Sequence, residues 1–220
     1  MTYTAVVVGA TGLVGKNLVQ ELINDSECNE IRVIVRRESN FDHPKVKVFV
    51  VDFSQLMDYA EAFQGDVLFS CLGTTRADAG SPEKQYLVDY TYQFQSAKLA
   101  SENGVNAYVL VSSPFKDIDS KNYYRRMKAE LEESTMQLSF DKIVFLRPNG
   151  LMGKRERKRF GENRAMKIFI SLVKIFPKLG KYKPILGSDV AKAMLKSYHL
   201  SQNQASRILT YDRDEVEVFI

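Results

Sequence analysis

Short apolar runs alternate with longer amphipathic stretches along most of the chain. The apolar runs are rich in valine, isoleucine and phenylalanine, which is typical of strands buried on both faces. The predicted strands are Thr4–Val8, Ile31–Val35, Val46–Val51, Asp66–Cys71, Ala107–Ser112 and Lys142–Arg147, and the predicted helices between them are Leu13–Asn24, Ser54–Phe63, Pro82–Asn103 and Tyr124–Leu138. Six strands joined by crossover helices predict an α/β protein with a doubly wound parallel sheet.

After Pro148 the alternation stops, and the chain is irregular and basic until a helical pattern returns at Ser188–His199. One further helix is predicted within the irregular part, at Arg164–Phe176. We therefore predict one domain over the 220 residues, in which residues 149–206 form a small cap on the substrate side.

Composition excludes several classes of protein. Hydrophobic residues make up 45% of the chain, charged residues 26%, and the mean hydropathy is −0.25, so general disorder is excluded. No run of apolar residues is long enough to predict a transmembrane helix, and the first residues lack the basic region of a signal peptide. Two cysteines and two histidines provide neither a disulfide framework nor a metal site, so a reduced, cytoplasmic location is expected.

A glycine-rich turn, Gly9–Gly15, follows the first predicted strand and opens the first helix, which is the context of a dinucleotide-binding fingerprint. Gly9 permits the tight turn, Gly12 lets the backbone approach a pyrophosphate, and Gly15 lets the helix pack close to the strand. The alternative is a glycine-rich turn that binds nothing. The residues predicted to contact the cofactor here are Gly9, Thr11, Gly12, Leu13, Val14 and Gly15.

Two arginines, Arg36 and Arg37, end the second strand where an NAD site would usually carry an acidic residue for the ribose hydroxyls. A guanidinium fork matches the 2′-phosphate of NADP, so NADP(H) is favoured over NAD(H). The alternative is a pair of solvated surface arginines. After the third strand, Asp52 is predicted to accept a bond from the adenine amino group, with Phe53 stacking beside it.

Tyr124 and Lys128 lie four residues apart in a predicted helix and therefore share a face. Leu131 and Thr135 continue this face toward the sheet, so Lys128 is predicted to point inward. A neighbouring ammonium stabilises a phenolate, which allows a phenol to exchange protons near neutral pH. The alternative is a half-buried tyrosine beside a lysine whose head group reaches water.

Ser112 and Ser113 end the fifth strand, and ligands of open parallel sheets bind beyond the carboxyl ends of the strands. A hydroxyl in this position is able to bond a substrate carbonyl oxygen as charge develops on it. Such serines also serve simply as caps or turns.

Together these features resemble the short-chain dehydrogenase/reductase superfamily in its atypical extended branch, and within it the Tat-interacting-protein oxidoreductases, small NADPH-binding members. The resemblance covers residues 4 to about 195. The residues that carry it are Gly9–Gly15, Arg36-Arg37, Asp58–Gly65, Cys71–Arg76, Asp89, Ser112-Ser113, Tyr124–Lys128 and Arg147–Gly150.

The resemblance implies roles for particular residues. Tyr124 would be the catalytic acid or base, Lys128 would bind the nicotinamide ribose, and Ser113 would orient the substrate. The segment after the fourth strand would run along the cofactor, and the segment after the sixth would lie near the nicotinamide. The residues implied in these two segments are Cys71, Leu72, Gly73, Thr74, Arg147 and Pro148. The branch often has glycine shortly after the serines, where this chain has Pro114-Phe115.

Three functions are consistent with these residues. The first is NADP(H)-dependent reduction of a small carbonyl substrate through Ser113, Tyr124 and Lys128. The second is a redox-sensing or regulatory protein that binds NADPH with little turnover. The third is an epimerase that retains NAD, against which the absence of an acidic residue beside Arg36-Arg37 counts.

The net charge of +4 is concentrated in residues 154–183, which carry eleven Lys or Arg and two Glu, so the rest of the chain is net negative. An anionic lipid surface, a nucleic acid or a partner groove could bind such a segment. The spacing of Ile168, Phe169, Leu172 and Ile175 instead favours a cap helix that buries these residues and leaves its lysines in solvent.

Overall fold

The structure is a computed structural model that describes residues 2–114, 116–153 and 184–219. The strands are β1 (Tyr3–Val8), β2 (Cys28–Val35), β3 (Val46–Val50), β4 (Val67–Ser70), β5 (Ala107–Val111), β6 (Lys142–Arg147), β7 (Leu151–Met152), β8 (Ile185–Leu186) and β9 (Ile208–Asp212). The helices are α1 (Leu13–Asn24), α2 (Arg76–Ala79), α3 (Pro82–Tyr86), α4 (Tyr92–Glu102), α5 (Tyr123–Met136), α6 (Gly187–Gln202) and α7 (Arg213–Val218), with a 3₁₀ helix at Phe53–Phe63 and a π-helical turn at Leu87–Thr91.

The main sheet of the described residues has seven strands in the order β3-β2-β1-β4-β5-β6-β9, and every neighbouring pair is parallel. The predicted doubly wound parallel sheet is therefore confirmed, with all six predicted strands in it. The strand order reverses between β1 and β4, and this is where such sheets leave a crevice for a ligand.

Helices cover both faces of the sheet, which explains why its central strands are almost continuously apolar. On one face, Leu18 of α1 and Met194 of α6 are fully buried in one core. On the other face, Phe63 of the 3₁₀ helix and Leu131 of α5 are fully buried. No helix in the described ranges combines the length and the apolar character that a membrane span requires.

The seventh strand, β9, was not among the predicted elements. Its first and last residues are exposed and the three between them are partly buried. Among the described residues, it lies at the sheet edge and pairs with β6 alone, where Ile208 lies opposite Ile143. No continuous apolar run marks it. The predicted helix Pro82–Asn103 also differs from the structure, because the π-helical turn divides it into α3 and α4.

The predicted cap at residues 149–206 includes α6, which belongs instead to the helical layer on the sheet. Val190 and Met194 of α6 are completely buried in the same core as α1. Strands β7 and β8 pair with each other in a small separate sheet. Residues 154–183, with the predicted helix Arg164–Phe176, lie outside the described residues, so their part of the cap stays a prediction.

Candidate active site

A cleft of about 1150 Å³ lies beyond the carboxyl ends of the central strands, at the point where the strand order reverses. Pockets for drug-sized ligands enclose roughly 300–1000 Å³, so this cleft suits a larger ligand such as a dinucleotide. The predicted site residues that line it are Gly9, Thr11, Gly12, Leu13, Val14, Arg36, Phe53, Cys71, Leu72, Gly73, Thr74, Ser113, Tyr124, Lys128 and Pro148.

Besides Gly15, which belongs to the glycine turn described below, three other predicted residues do not line the cleft. Arg37 is exposed beside it. The Asp52 carboxylate accepts hydrogen bonds from the backbone N–H and the hydroxyl of Ser54, at 2.8 and 2.7 Å, and so caps the 3₁₀ helix. The Arg147 guanidinium donates to the carboxylate of Glu132, with the shorter contact at 2.7 Å. Cofactor contacts of these three side chains stay predictions.

The glycine turn brings backbone groups into very close contact. A Cβ on Gly9, whose φ is +78°, would lie 2.5 Å from the carbonyl carbon of Cys71, directly after β4. A Cβ on Gly15, which does not line the cleft, would lie 2.3 Å from the carbonyl oxygen of Gly9. Gly12 is the N-cap of α1, and no side chain caps this helix end. The first-turn N–H groups of α1 and its dipole thus fit the pyrophosphate of a dinucleotide.

Replacing Gly9 with alanine is expected to lower the free energy of unfolding by roughly 2 kcal/mol or more, because the left-handed backbone disfavours a side chain and the Cβ would overlap with Cys71. Urea denaturation measures the loss. Gly104→Ala is the matched control, since φ is +76° there but nothing lies within 4 Å of an added Cβ. The control should lose about 1 kcal/mol. Equal losses of unfolding free energy in both variants would contradict the close contact between Gly9 and Cys71.

Arg36 lies in the cleft at the end of β2, and within the described residues neither it nor Arg37 forms an ion pair. Among the described residues that line the cleft, two are acidic, Asp78 and Asp89, and both follow β4 rather than β2. The end of β2 therefore presents positive charge to the cleft.

The segment Cys71–Thr74 lines the cleft after β4. Burial raises the pKa of the Cys71 thiol, and this thiol lies 3.6 Å from the sulfur of Met194. A thiol held in its neutral form is a poor nucleophile, so the geometry does not favour thiolate chemistry at this position.

The inward direction predicted for Lys128 is confirmed, because its side chain is only 3% exposed. Its Nζ lies 6.0 Å from the centroid of the Tyr124 ring and 3.4 Å from Oδ1 of Asp89. Tyr124 itself is 38% exposed and lines the cleft. The helix thus holds an ammonium beneath a solvent-accessible phenol.

Asp89 is the partner of Lys128, a role that the sequence did not reveal. It lies on the π-helical turn, a feature that often occurs at functional sites. Its Oδ2 accepts a 2.9 Å hydrogen bond from the N–H of Thr74, so it also holds the segment after β4. Burial raises the pKa of the Asp89 carboxyl, and the Lys128 ammonium opposes this rise. The available signal was an acid between apolar and aromatic neighbours, Leu87-Val88 and Tyr90, in a predicted helix.

Asp89→Asn and Lys128→Met are each expected to lower the free energy of unfolding by roughly 3 kcal/mol, because each leaves a buried charge without its partner. The double variant should lose clearly less than the sum, since it removes both charges. Chemical denaturation of the four proteins measures the coupling. Additive losses would show that the two groups do not stabilise each other.

The two serines after β5 differ in their surroundings. The Ser112 hydroxyl donates a 2.5 Å hydrogen bond to the buried carboxylate of Glu132. Both serines line the cleft, but the Ser113 hydroxyl forms no hydrogen bond with the described residues. Of the two, Ser113 is therefore the one that is free to bond a ligand.

A glycine turn that opens a helix at the switch point of a parallel sheet defines a dinucleotide-binding α/β protein. A family model described as NAD(P)H-binding matches residues 9–164, and the chain belongs to this family. Among its relatives is "Protein FMP52, mitochondrial" of Candida albicans, 35% identical over 194 residues, which are 86% of this chain and 85% of the relative. Protein HTATIP2 of Rattus norvegicus is 39% identical over 170 residues, 76% of this chain and 70% of the relative.

Solved structures show the same fold. A UDP-galactose 4-epimerase superposes with a TM-score of 0.70 at 18% identity, covering 95% of this chain and 76% of its own. The Bordetella bronchiseptica enzyme WbmG in complex with NAD gives a TM-score of 0.68 at 16% identity, covering 100% of this chain and 76% of its own.

The resemblance to atypical short-chain dehydrogenase/reductases is confirmed by these matches, and the chain is an NAD(P)H-binding, oxidoreductase-like protein. The predicted cytoplasmic location is wrong, since the relatives from Candida albicans, Eremothecium gossypii and Saccharomyces cerevisiae are named mitochondrial. The low number of cysteines indicates that the protein has no disulfide framework. It does not indicate which of the compartments that keep thiols reduced contains the protein.

Proposed function

We propose that this chain is an NADP(H)-dependent oxidoreductase that reduces a small carbonyl substrate through Ser113, Tyr124 and Lys128. The observation that carries the proposal is the buried Lys128 ammonium, held by Asp89 and lying 6.0 Å from the Tyr124 ring at the edge of the cleft. A buried lysine ammonium destabilises the fold unless an opposite charge pairs with it. Here the paired ammonium lies where its charge acts on an accessible phenol.

The residues of the cleft fit a nicotinamide dinucleotide. The open N-terminus of α1 would bind the pyrophosphate, and Arg36 at the end of β2 would bind the 2′-phosphate of NADP. When bound, the nicotinamide supplies the hydride that reduces the carbonyl carbon. Lys128 would hold the nicotinamide ribose through its ammonium.

The side chains of Ser113 and Tyr124 would orient the substrate and deliver the proton. The Ser113 hydroxyl donates a hydrogen bond to the substrate oxygen and orients it. The Tyr124 phenol donates its proton to the same oxygen, and the positive charge of Lys128 stabilises the phenolate that is left. Asp89 keeps the Lys128 head group in place through the 3.4 Å ion pair.

A turnover assay tests this function against an NADPH-binding regulatory protein. The full chain, stripped of nucleotide, is mixed with NADPH and with aldehydes, ketones and quinones in turn, and the absorbance of the reduced nicotinamide is followed. Consumption that depends on a carbonyl compound supports an oxidoreductase. NADPH binding by calorimetry without consumption by any compound would instead favour the regulatory function.

A further inference from the structure

A buried carboxylate lies on α5 one helical turn beyond Lys128. Glu132 is 1% exposed, and its Oε1 accepts bonds from the Ser112 hydroxyl at 2.5 Å and from Nε of Arg147 at 3.1 Å. Its Oε2 accepts a 2.7 Å bond from Nη2 of Arg147 and lies 3.4 Å from Nζ of Lys116. Charge-assisted bonds that meet on one carboxylate restrain all of the groups involved.

The partners of Glu132 belong to segments that border the cleft. Ser112 directly precedes Ser113, and Arg147 directly precedes Pro148, and both of these neighbours line the cleft. The backbone N–H of Ser112 also bonds to the carbonyl of Leu146, which joins the ends of β5 and β6. The helix that carries Glu132 is the one that bears the phenol and ammonium of the proposed site. One carboxylate thus connects all three segments at the reactive end.

We propose that Glu132 is a positioning residue, which holds Ser113 and the segment after β6 at a set distance from α5. The proposal rests on the proposed function. It assigns Arg147 the role of a partner for Glu132 rather than of a cofactor contact. Because Glu132 lies behind Ser112, it acts on the substrate only through the backbone of its neighbours.

Glu132→Gln and Ser112→Ala test the proposal, and kcat, KM and the Kd for NADPH are measured for each. Glu132→Gln is expected to lower kcat about 10- to 100-fold, as the loss of a charged hydrogen bond does, with Kd for NADPH within about twofold. Ser112→Ala loses one hydrogen bond and should lower kcat about 5- to 10-fold. The double variant should be no slower than Glu132→Gln, because both changes break the same connection.

Asp25→Asn is the matched control for a purely structural effect. Asp25 is also a carboxylate in a network, accepting a bond from the Tyr3 hydroxyl at 2.7 Å and lying 2.8 Å from Nε2 of His199, but it lies outside the cleft. This control should lower Tm while leaving kcat unchanged. The fluorescence of bound NADPH, which responds to the surroundings of the nicotinamide, should change in Glu132→Gln and not in the control.

The outcomes separate the two proposals. If either Glu132→Gln or Ser112→Ala folds and keeps both the kcat and the bound-NADPH emission of the unchanged chain, Glu132 is only a structural residue and the inference is overturned. If the unchanged chain reduces no carbonyl compound, the proposed function fails. In that case a changed emission in Glu132→Gln still supports positioning, and an unchanged emission overturns it. Ser112→Ala, the milder change, decides the matter if Glu132→Gln does not fold.

Discussion

Tyr124→Phe is expected to lower kcat by about 10²- to 10⁴-fold while the Kd for NADPH stays within about fivefold. The change removes only the phenolic hydroxyl and keeps the ring that lies above the Lys128 ammonium. Proton transfer to the substrate oxygen is thereby lost, whereas the proposed phosphate sites at α1 and β2 are untouched. Steady-state kinetics with the best carbonyl substrate and calorimetry with NADPH measure the two effects separately.

The adjacent tyrosine provides the control. The Tyr123 hydroxyl donates a 3.0 Å hydrogen bond to the carbonyl of Pro82, and the residue four positions later is Met127 rather than lysine. Tyr123→Phe should therefore keep its turnover. A Tyr124→Phe variant that reduced every accepted substrate at the unchanged rate would show that the assigned proton donor is wrong.

Arg36→Ala combined with Arg37→Ala is expected to weaken NADPH binding about 10- to 100-fold and NADH binding by less than about twofold. Charged hydrogen bonds to a phosphate contribute roughly 1.5–3 kcal/mol, and only NADPH carries the 2′-phosphate. Calorimetric titration of both reduced cofactors measures the ratio. Arg36→Ala alone should account for most of the loss, because Arg36 lines the cleft and Arg37 does not.

Arg32→Ala is the matched control on the same strand. Arg32 donates to the carboxylate of Glu30 at 2.7 Å and does not line the cleft, so its loss should affect neither cofactor. Equal weakening of NADPH and NADH in the double variant would mean that the arginines at the end of β2 do not recognise the phosphate.

The strands of the sheet were predictable because each central strand is buried on both faces and must therefore be apolar along its length. Lys142–Arg147 was predicted with the bounds that the structure has, and so was the helix Leu13–Asn24. The edge strand β9 was not predictable, because none of its residues is fully buried and its pairing with β6 is not encoded locally.

The residues of the candidate site also divide into those that the sequence predicted and those that it did not. The glycine turn and the tyrosine–lysine pair are local, because a turn or one face of a helix brings their residues together, and so they were visible as spacings. The partners of the buried charges were not visible. Asp89 pairs with Lys128, and Arg147 with Glu132, and in each case the two residues belong to different elements of the fold.

By itself the sequence determined the parallel α/β sheet, the glycine turn at its first strand and the shared face of Tyr124 and Lys128, because these depend on burial and on backbone periodicity. Only the tertiary structure decided which buried charges are paired and that α6 belongs to the core. It also decided that Ser112 is bonded to Glu132 while the Ser113 hydroxyl has no partner among the described residues. The physical reason is the distance along the chain between the residues that interact. Periodicity acts within one element, whereas ion pairs and hydrogen bonds in a dry interior are set by the packing of elements that are distant in the chain.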